Sequence, residues 1–304
     1  MWLSRAVSLL VVCAGIAAWG QDTPAGGTPP APARPPLLEN TGKPMLLPFQ
    51  CTDEDIHAAG LTCTEEEPCA VFLELSAAAS SGPRAGTRIL AGGNLHTDSV
   101  TLYSVLLASE DGGRTWVEAH ERMRGAGLDR IQFQDAEKGW ISGQELSPLP
   151  QNPFLLVTAD GGKTWRRRPI LNEASENRFG TVQQFYLDAK DVGSLIVDRG
   201  PGGEGGRYVL YESPDGGDNW LIKQESDKPL TLKAPPAAPA DWRIRVDAPT
   251  KSFHVERRQG DRWIAVGAFL VRLDDCKPPK PADNAAPAGE DKAAPVKPPI
   301  KKLR

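Results

Sequence analysis

Short runs of apolar residues, each followed by glycine or by a cluster of polar residues, recur along the middle of the chain. Runs of this length that contain many β-branched and aromatic residues predict β-strands. The runs are Val71–Leu73, Arg88–Gly93, Ile131–Phe133, Gly139–Gly143, Phe154–Val157, Val182–Leu187, Ser194–Val197, Tyr208–Tyr211, Trp263–Val266 and Phe269–Leu273. No long apolar stripe with a helical period survives between the glycines, and no run reaches the roughly 18 apolar residues of a membrane-spanning helix. The pattern therefore predicts an all-β protein.

An eight-residue pattern, Ser/Thr-x-Asp-Gly-Gly-x-Thr/Asn-Trp, occurs three times without a gap. The copies are Ser109–Trp116, Thr158–Trp165 and Ser213–Trp220. A decayed fourth copy ends at Trp263, where Arg258 replaces the aspartate. Successive tryptophans of the four copies are 49, 55 and 43 residues apart, and this spacing is typical of the blades of a β-propeller.

Each residue type in the repeat suits a tight hairpin turn between two apolar runs. The aspartate accepts hydrogen bonds from backbone N–H groups, the glycines adopt positive φ, the Ser/Thr hydroxyl adds a local bond, and the tryptophan packs over the turn. A structural role is therefore predicted for Ser109, Asp111, Gly113, Thr115 and Trp116, for Thr158, Asp160, Gly162, Thr164 and Trp165, and for Ser213, Asp215, Gly217, Asn219 and Trp220. Each unit supplies about four short strands, the content of one blade.

The three copies resemble the Asp-box (BNR) repeats of sialidases and related β-propellers. The second unit, Phe133–Gly143 followed by Thr158–Trp165, is similar to the repeat of photosystem II stability/assembly factor-like proteins, and the resemblance covers about residues 70–265. It implies a β-propeller, of seven blades in the assembly factors and six in the sialidases. The length of the body leaves room for only four or five blades of antiparallel strands, so the chain forms either a small propeller or a partial one completed by oligomerisation. Closure of the propeller is expected because an open one leaves two strand edges exposed. Repeats of this kind occur in enzymes, receptors, assembly factors and adhesins, so they specify fold more strongly than function.

The two ends of the chain differ in composition from the middle. Met1–Gly20 combines a single charge, an apolar run and small residues at its end, which predicts a secretory signal peptide cleaved after Gly20. The remaining predicted regions are a Pro-rich disordered linker at 21–46, a propeller domain at 47–276 and a disordered tail rich in Pro, Lys and Ala at 277–304. We expect a secreted or periplasmic protein that has no transmembrane segment once the signal is removed.

The mature chain has four cysteines, and these are Cys51, Cys63, Cys69 and Cys276. An even number in an exported protein predicts two disulfides, for which three pairings are possible. A bridge from Cys276 to any one of the other three would join the two ends of the folded body. A metal site is not expected because the chain has no Cys-x-x-Cys pair, and no cofactor is expected. A lipoprotein anchored at Cys13 is disfavoured because Val12 is too bulky for the preceding position.

Charge excludes one class of partner. The formal net charge is −4, but residues 277–304 carry seven basic and three acidic groups, so the body is acidic. Nucleic-acid binding needs a basic face and is not expected.

Arg166, Arg167 and Arg168 form a speculative binding site for an acidic partner, although a strand edge with alternating side chains is the favoured interpretation. Gly200–Gly205 lacks the helix of a phosphate loop, and Asp53–Asp55 lacks the glycine and glutamate of a calcium loop.

The sialidase resemblance implies a catalytic motif that this sequence does not carry. An aromatic-Arg-Ile-Pro motif is expected before the first repeat, and the nearest approximation, Thr87–Leu90, lacks the aromatic residue and the proline. Candidate pocket arginines and tyrosines, which no spacing selects, are Arg178, Arg199, Arg245, Tyr103 and Tyr186. The favoured function is therefore a non-catalytic scaffold that binds or assembles a protein or glycan outside the cytoplasm. The alternative is a sialidase-like glycoside hydrolase.

Overall fold

The computed structural model describes residues 36–82, 88–146, 149–171, 179–188, 190, 192–203, 205–232 and 241–278. The predicted signal peptide, most of the predicted linker and nearly all of the predicted tail lie outside these residues. The described part is all-β apart from one short helix, α1 (Asp53–Ala58). Its strands are β1 (Leu38–Glu39), β2 (Cys69–Ser80), β3 (Ile89–His96), β4 (Thr101–Ser109), β5 (Thr115–Glu118), β6 (Ala126–Phe133), β7 (Gly139–Leu146), β8 (Pro150–Thr158), β9 (Arg166–Pro169), β10 (Thr181–Leu187), β11 (Gly193–Asp198), β12 (Tyr208–Ser213), β13 (Leu221–Ser226), β14 (Trp242–Asp247), β15 (Ser252–Gln259), β16 (Arg262–Leu270) and β17 (Arg272–Cys276).

The strands form four antiparallel sheets, one for each sequence unit. The first sheet has the order β1-β5-β4-β3-β2-β17, the second is β6-β7-β8-β9, the third is β10-β11-β12-β13 and the fourth is β14-β15-β16. The three complete repeats form the turns between β4 and β5, between β8 and β9, and between β12 and β13. The architecture is the small β-propeller that the repeats predicted.

Both ends of the described chain join the first sheet. Strand β17 pairs with β2, where Cys276 lies opposite Cys69. Strand β1 pairs with β5 on the far edge of the same sheet, where Leu38 lies opposite Trp116. The terminal apolar run therefore completes the blade begun at the other end of the chain, after a break at Val271 that separates β16 from β17.

The segment before residue 47 contributes to the folded body. The predicted linker covered residues 21–46, but Met45 is buried and its backbone N–H donates to the carbonyl of Ala268 at 2.8 Å. The Asn40 side chain donates to the carbonyls of Gly113 and Val266 at 2.9 and 3.0 Å. Because the outer edge of β16 offers unpaired backbone groups, this segment is ordered by hydrogen bonding to that edge.

Three hydrophobic clusters show which sheets pack on each other. The cluster between the fourth and first sheets includes Phe253, Phe269, Leu73 and Leu95. The cluster between the first and second sheets includes Leu90, Leu106, Leu128 and Phe154. The cluster between the second and third sheets includes Trp140, Leu155, Leu195 and Val209. Within the described residues no cluster joins the third sheet to the fourth, so the packing order is fourth, first, second, third.

Helix α1 is held between the two disulfides, which are Cys51–Cys276 and Cys63–Cys69. Thr52 caps the helix: its hydroxyl accepts from the backbone of Asp55, and the Asp55 carboxylate accepts from the backbone of Thr52 at 2.9 Å. Asp55 is buried, and Tyr103 of β4 donates a hydrogen bond to it. The helix is thus fixed to the first sheet by a covalent bond and a buried polar contact.

Candidate functional site

The first repeat turn satisfies its own backbone. Ser109 Oγ accepts from the backbone N–H of Gly113 at 2.8 Å. Asp111 Oδ1 accepts from the N–H groups of Arg114 and Thr115 at 3.0 and 2.9 Å, and Oδ2 accepts from Thr115 Oγ1 at 2.7 Å. The indole N–H of Trp116 closes the turn on the carbonyl of Gly113 at 3.2 Å. Nearly every polar group of the motif is therefore occupied within the turn.

The second and third turns repeat this geometry. In the second turn, Asp160 accepts from the backbone and hydroxyl of Thr164 at 2.9 and 2.6 Å. In the third turn, Asp215 accepts from the backbone and side-chain amide of Asn219 at 2.9 and 2.6 Å. The indole N–H of Trp165 donates to the carbonyl of Gly162 at 3.1 Å. The third turn differs in one respect, because the buried indole N–H of Trp220 has no partner within the described residues.

The hydrogen bonds keep the turn aspartates ionised. Slight burial raises the pKa of Asp111 and of Asp160, but hydrogen bonds from Thr115 and from Thr164 outweigh it and lower each pKa to about 2. The pKa of Asp215 is lowered in the same direction, first by the side chain of Asn219. A carboxylate held in this way is a structural acceptor and is unsuited to act as an acid at neutral pH.

Replacing a turn aspartate is expected to destabilise the protein and to change its acid response. Asp160→Asn should lower the free energy of unfolding at pH 7 by about 2 kcal/mol, because charge-assisted bonds to the turn are lost. The depressed pKa stabilises the native state above pH 4, and this contribution is lost as pH falls from about 4 towards 2. Urea denaturation at pH 7 and pH 2.5 tests this, since the variant should differ from the native sequence much less at the lower pH.

The matched control is Asp261→Asn, in the decayed fourth turn. Asp261 is exposed, so its replacement should change stability by no more than about 0.5 kcal/mol at either pH. Equal effects of the two substitutions at pH 7 would show that the Asp160 contacts do not hold the turn.

The tryptophan of each complete repeat packs against the hydrophobic cluster that its own sheet shares with the preceding sheet. The ring of Trp116 is fully buried and meets Phe269 of the fourth sheet edge-on, with 5.3 Å between ring centroids. The ring of Trp165 also meets Phe133 of its own sheet, with 6.3 Å between ring centroids. In the fourth sheet, Trp263 lies under the guanidinium of Arg243, 4.3 Å from the ring centroid. The turns are therefore joints between blades and leave little surface for a ligand.

The arginine run on β9 is distributed over several contacts. Arg167 pairs with Glu145 of the same sheet at 2.9 Å and lies over the ring of Phe154. Arg168 pairs with Asp218 of the third repeat turn at 2.7 Å. Arg166 is exposed. The alternation of a strand separates neighbouring side chains of the run, and the ion pair of Arg168 connects the second sheet to the third.

A cleft of about 390 Å³ lies where the second and third sheets meet, and sequence reasoning missed it. Two exposed apolar side chains line it, Leu149 with 58% of its surface accessible and Phe179 with 45%. The remaining walls come from Pro150, Gly180, Thr181, Asp198, Arg199, Gly200, Pro201, Gly202 and Gly203. The Gly-rich segment that partly matched a phosphate loop is thus one wall of an apolar cleft.

The two charged residues of this cleft are already paired. Asp198 accepts both Nε and Nη2 of Arg207 at 2.9 Å, which is the main reason that the pKa of Asp198 is lowered. Arg199 donates to Glu225 at 3.0 Å and to the hydroxyl of Tyr211 at 3.1 Å. With these charges neutralised, apolar contact is the main interaction that the cleft offers. No repeat or strand pattern in the sequence marks Leu149 or Phe179. The sequence therefore does not indicate that these side chains are exposed in a cleft.

Those candidate sialidase arginines that the structure describes each pair with a carboxylate of the same sequence unit. Arg88 pairs with Glu110, and Arg245 pairs with Glu256 at 2.7 Å. Arg199 pairs with Glu225, as described above, and Arg178 lies outside the described residues. Burial, followed by the hydrogen bond to Asp55, raises the pKa of the Tyr103 hydroxyl to about 12, opposite to the change that activates a nucleophile. Tyr186 lies on β10.

Two features are absent from the part of the chain that the structure describes. None of its helices has the length and apolar character needed to cross a bilayer. It also contains no group of three or more His, Cys, Asp or Glu side chains arranged to hold a metal ion.

Comparison with known proteins found likeness in structure only. No protein-family model matches the chain, and no curated protein matches it significantly. A GH74 xyloglucanase from Xanthomonas campestris is 21% identical, with a TM-score of 0.34, over 44% of this chain and 18% of that chain. YCF48 from Cyanidioschyzon merolae is 17% identical, with a TM-score of 0.33, over 65% of this chain and 57% of that chain. An ancestral GH74 enzyme is 17% identical, with a TM-score of 0.36, over 64% of this chain and 25% of that chain. The chain thus spans less than two thirds of each of these structures.

Proposed function

We propose that this chain is an exported Asp-box β-propeller that serves as a non-catalytic binding or assembly scaffold for another protein. The apolar cleft beside Leu149 and Phe179 carries the proposal. Apolar side chains that line a concave site without being covered are typical of a recognition surface. The partner is a protein of the periplasm or cell exterior that inserts an uncharged, apolar peptide segment into the cleft.

Two other features support this function. Disulfides persist in oxidising compartments, so the Cys51–Cys276 and Cys63–Cys69 bridges support export after cleavage at Gly20. The described candidates Arg88, Arg199 and Arg245 are engaged in ion pairs, and the Tyr103 hydroxyl binds its proton tightly, so these groups are committed to the fold. The chemistry left exposed suits binding better than hydrolysis.

Photo-cross-linking in the producing cells tests the binding site directly. Phe179 is replaced by p-benzoylphenylalanine, and the matched control carries the same probe at Ile264, an exposed apolar residue of β16 outside the cleft. The probe at position 179 should form a discrete adduct with an exported protein that is absent at position 264. Adding Leu149→Asp should reduce the yield of that adduct about tenfold, because a buried unpaired carboxylate costs at least 1.4 kcal/mol.

Identical adducts at positions 179 and 264, or no adduct at position 179, would contradict a partner in the cleft. Hydrolysis of a fluorogenic sialoside by the purified protein would replace the scaffold function with the sialidase-like alternative.

A further inference from the structure

The four cysteines of the folded body lie together where β17 pairs with β2. One disulfide joins Cys51 to Cys276, and the other joins Cys63 to Cys69. Cys276, the last residue of β17, lies directly opposite Cys69, the first residue of β2. The two disulfides are therefore neighbours, and Cys69 and Cys276 face each other across the strands without being bonded to each other.

The strand pairing places Cys69 and Cys276 at a separation that suits a disulfide. Residues directly opposite each other on antiparallel strands have Cα atoms about 4.5 to 5.5 Å apart, and their side chains point to the same face. Disulfides form between Cα atoms about 4.4 to 6.8 Å apart, and the two existing bridges span 5.1 and 5.3 Å. A bond between Cys69 and Cys276 therefore requires no movement of the two strands.

Chain entropy and strand pairing both favour such a bond once one disulfide is lost. The Cys63–Cys69 bridge spans only 6 residues, whereas Cys51–Cys276 spans 225. A bond from Cys69 to Cys276 closes a loop almost as long as the latter, so it restricts the unfolded chain to nearly the same extent. It also joins residues that paired strands already hold together, whereas Cys51 lies outside the strands. A singly bridged chain is therefore most stable with its bond between β2 and β17.

We infer that these cysteines form a thiol–disulfide exchange site, at which a dithiol converts the two native bridges into a single bond between Cys69 and Cys276. The dithiol reduces Cys63–Cys69 to two thiols and is itself oxidised to a disulfide. The Cys69 thiol loses its proton to water, and the thiolate attacks Sγ of Cys276. The Cys51–Cys276 bond breaks as the new bond forms, and the electron pair leaves with Cys51, which takes up a proton from water. Because Cys276 is fully buried, the attack on its sulfur comes from the neighbouring side chain.

The exchange changes how helix α1 is held, because Cys51 and Cys63, which flank the helix, both become free thiols. The helix is then attached to the first sheet by non-covalent contacts alone, among them the hydrogen bond that Asp55 accepts from Tyr103. The new bond keeps β17 against β2, so the end of the folded body stays in the first sheet. The site therefore makes the attachment of α1 sensitive to a reductant. None of its four cysteines lines the apolar cleft.

Limited reduction of the purified mature protein tests the exchange. Dithiothreitol is added at about pH 8, where thiolates form, and free thiols are trapped with N-ethylmaleimide at successive times. Non-reducing peptide mapping then locates the remaining bonds. We expect singly bridged molecules in which Cys69 is linked to Cys276, while Cys51 and Cys63 are alkylated. Singly bridged molecules that contain only the Cys51–Cys276 bond or only the Cys63–Cys69 bond would overturn the proposal.

Two single variants separate the effect of the strand register from the loss of a disulfide. Cys63→Ser leaves Cys69 unpaired and Cys69→Ser leaves Cys63 unpaired, so both variants lack the same short bridge. Without any reductant, Cys63→Ser should contain a bond between Cys69 and Cys276 and a free thiol at Cys51. Cys69→Ser should retain the Cys51–Cys276 bond and a free thiol at Cys63. Hydrogen exchange at the amides of α1 should be about tenfold faster in Cys63→Ser, because only there are both flanking positions unbonded.

The two variants also define the results that would contradict the exchange. A free thiol at Cys69 in Cys63→Ser would overturn the proposal, because the thiolate would then lie beside Cys276 without reacting. A bond between Cys63 and Cys276 in Cys69→Ser at the same yield would also overturn it, because the strand register would then not direct the reaction. If either variant fails to fold, the mapping of the partly reduced native protein decides.

Discussion

Removing the Cys51–Cys276 disulfide is expected to lower the free energy of unfolding by about 5 kcal/mol, the entropic value for so long a loop. The two cysteines are 225 residues apart, so the bond restricts almost the whole folded body in the unfolded state. In the native state the same bond ties the end of β17 to the segment that precedes α1, next to the pairing of β17 with β2. Urea denaturation of Cys51→Ser/Cys276→Ser measures the loss.

The second disulfide provides a matched control. Cys63 and Cys69 are 6 residues apart, and for such a loop the same model gives about 2 kcal/mol. Cys63→Ser/Cys69→Ser should therefore be the milder variant by about 3 kcal/mol. Equal losses, or a larger loss for the short loop, would show that the long bridge does not hold the chain ends in the folded protein.

Gly113→Ala is expected to destabilise the protein by about 4 kcal/mol, the sum of backbone strain and overpacking. Gly113 has a φ of 93°, which favours glycine. A Cβ at this position would also overlap the backbone carbonyl of Val266 and lie 3.0 Å from the Val266 Cβ. Since Val266 belongs to β16, the substitution forces the first repeat turn away from the fourth sheet. Urea denaturation or calorimetry measures the effect.

A substitution at the neighbouring Gly112 separates the cost of backbone strain from the cost of overpacking. Its φ is 78°, but a Cβ there would meet no atom within 4 Å. Gly112→Ala should cost only the backbone strain, about 1 kcal/mol. If the two alanine variants are equally stable, the first turn does not pack against β16, and the order of the sheets is different.

The fold was predictable because the residue types of its repeat are determined by interactions within a single turn. A turn needs an acceptor for its N–H groups and residues that tolerate positive φ, and only a few residue types supply these. The copies ending at Trp116, Trp165 and Trp220 therefore marked three hairpins. The strands around them follow from short apolar runs, and the all-β assignment is confirmed. The decayed copy at Trp263 still marks a hairpin, between β15 and β16.

Features that depend on tertiary contact were harder to predict. The four cysteines left three pairings open, and the strand register does not choose among them, because β17 places Cys276 opposite Cys69 whereas its disulfide partner is Cys51. Met45 lies among prolines, a context that indicates a linker, whereas the free edge of β16 orders that segment. Thr52 and Asp55 form the capping box of α1, but the acidic residues of this helix also match the start of a calcium loop, so the local sequence does not distinguish the two. Leu149 and Phe179 carry no sequence signal of exposure.

The fold and the proposed function together require an exported chain whose two ends are joined in the first sheet. Non-reducing peptide mapping of the mature protein, recovered from the periplasm or the medium, tests this most directly. We expect one linked peptide pair that contains Cys51 and Cys276 and a second bridge between Cys63 and Cys69. A free thiol at Cys276, or a bond from Cys276 to Cys63 or Cys69, would contradict it.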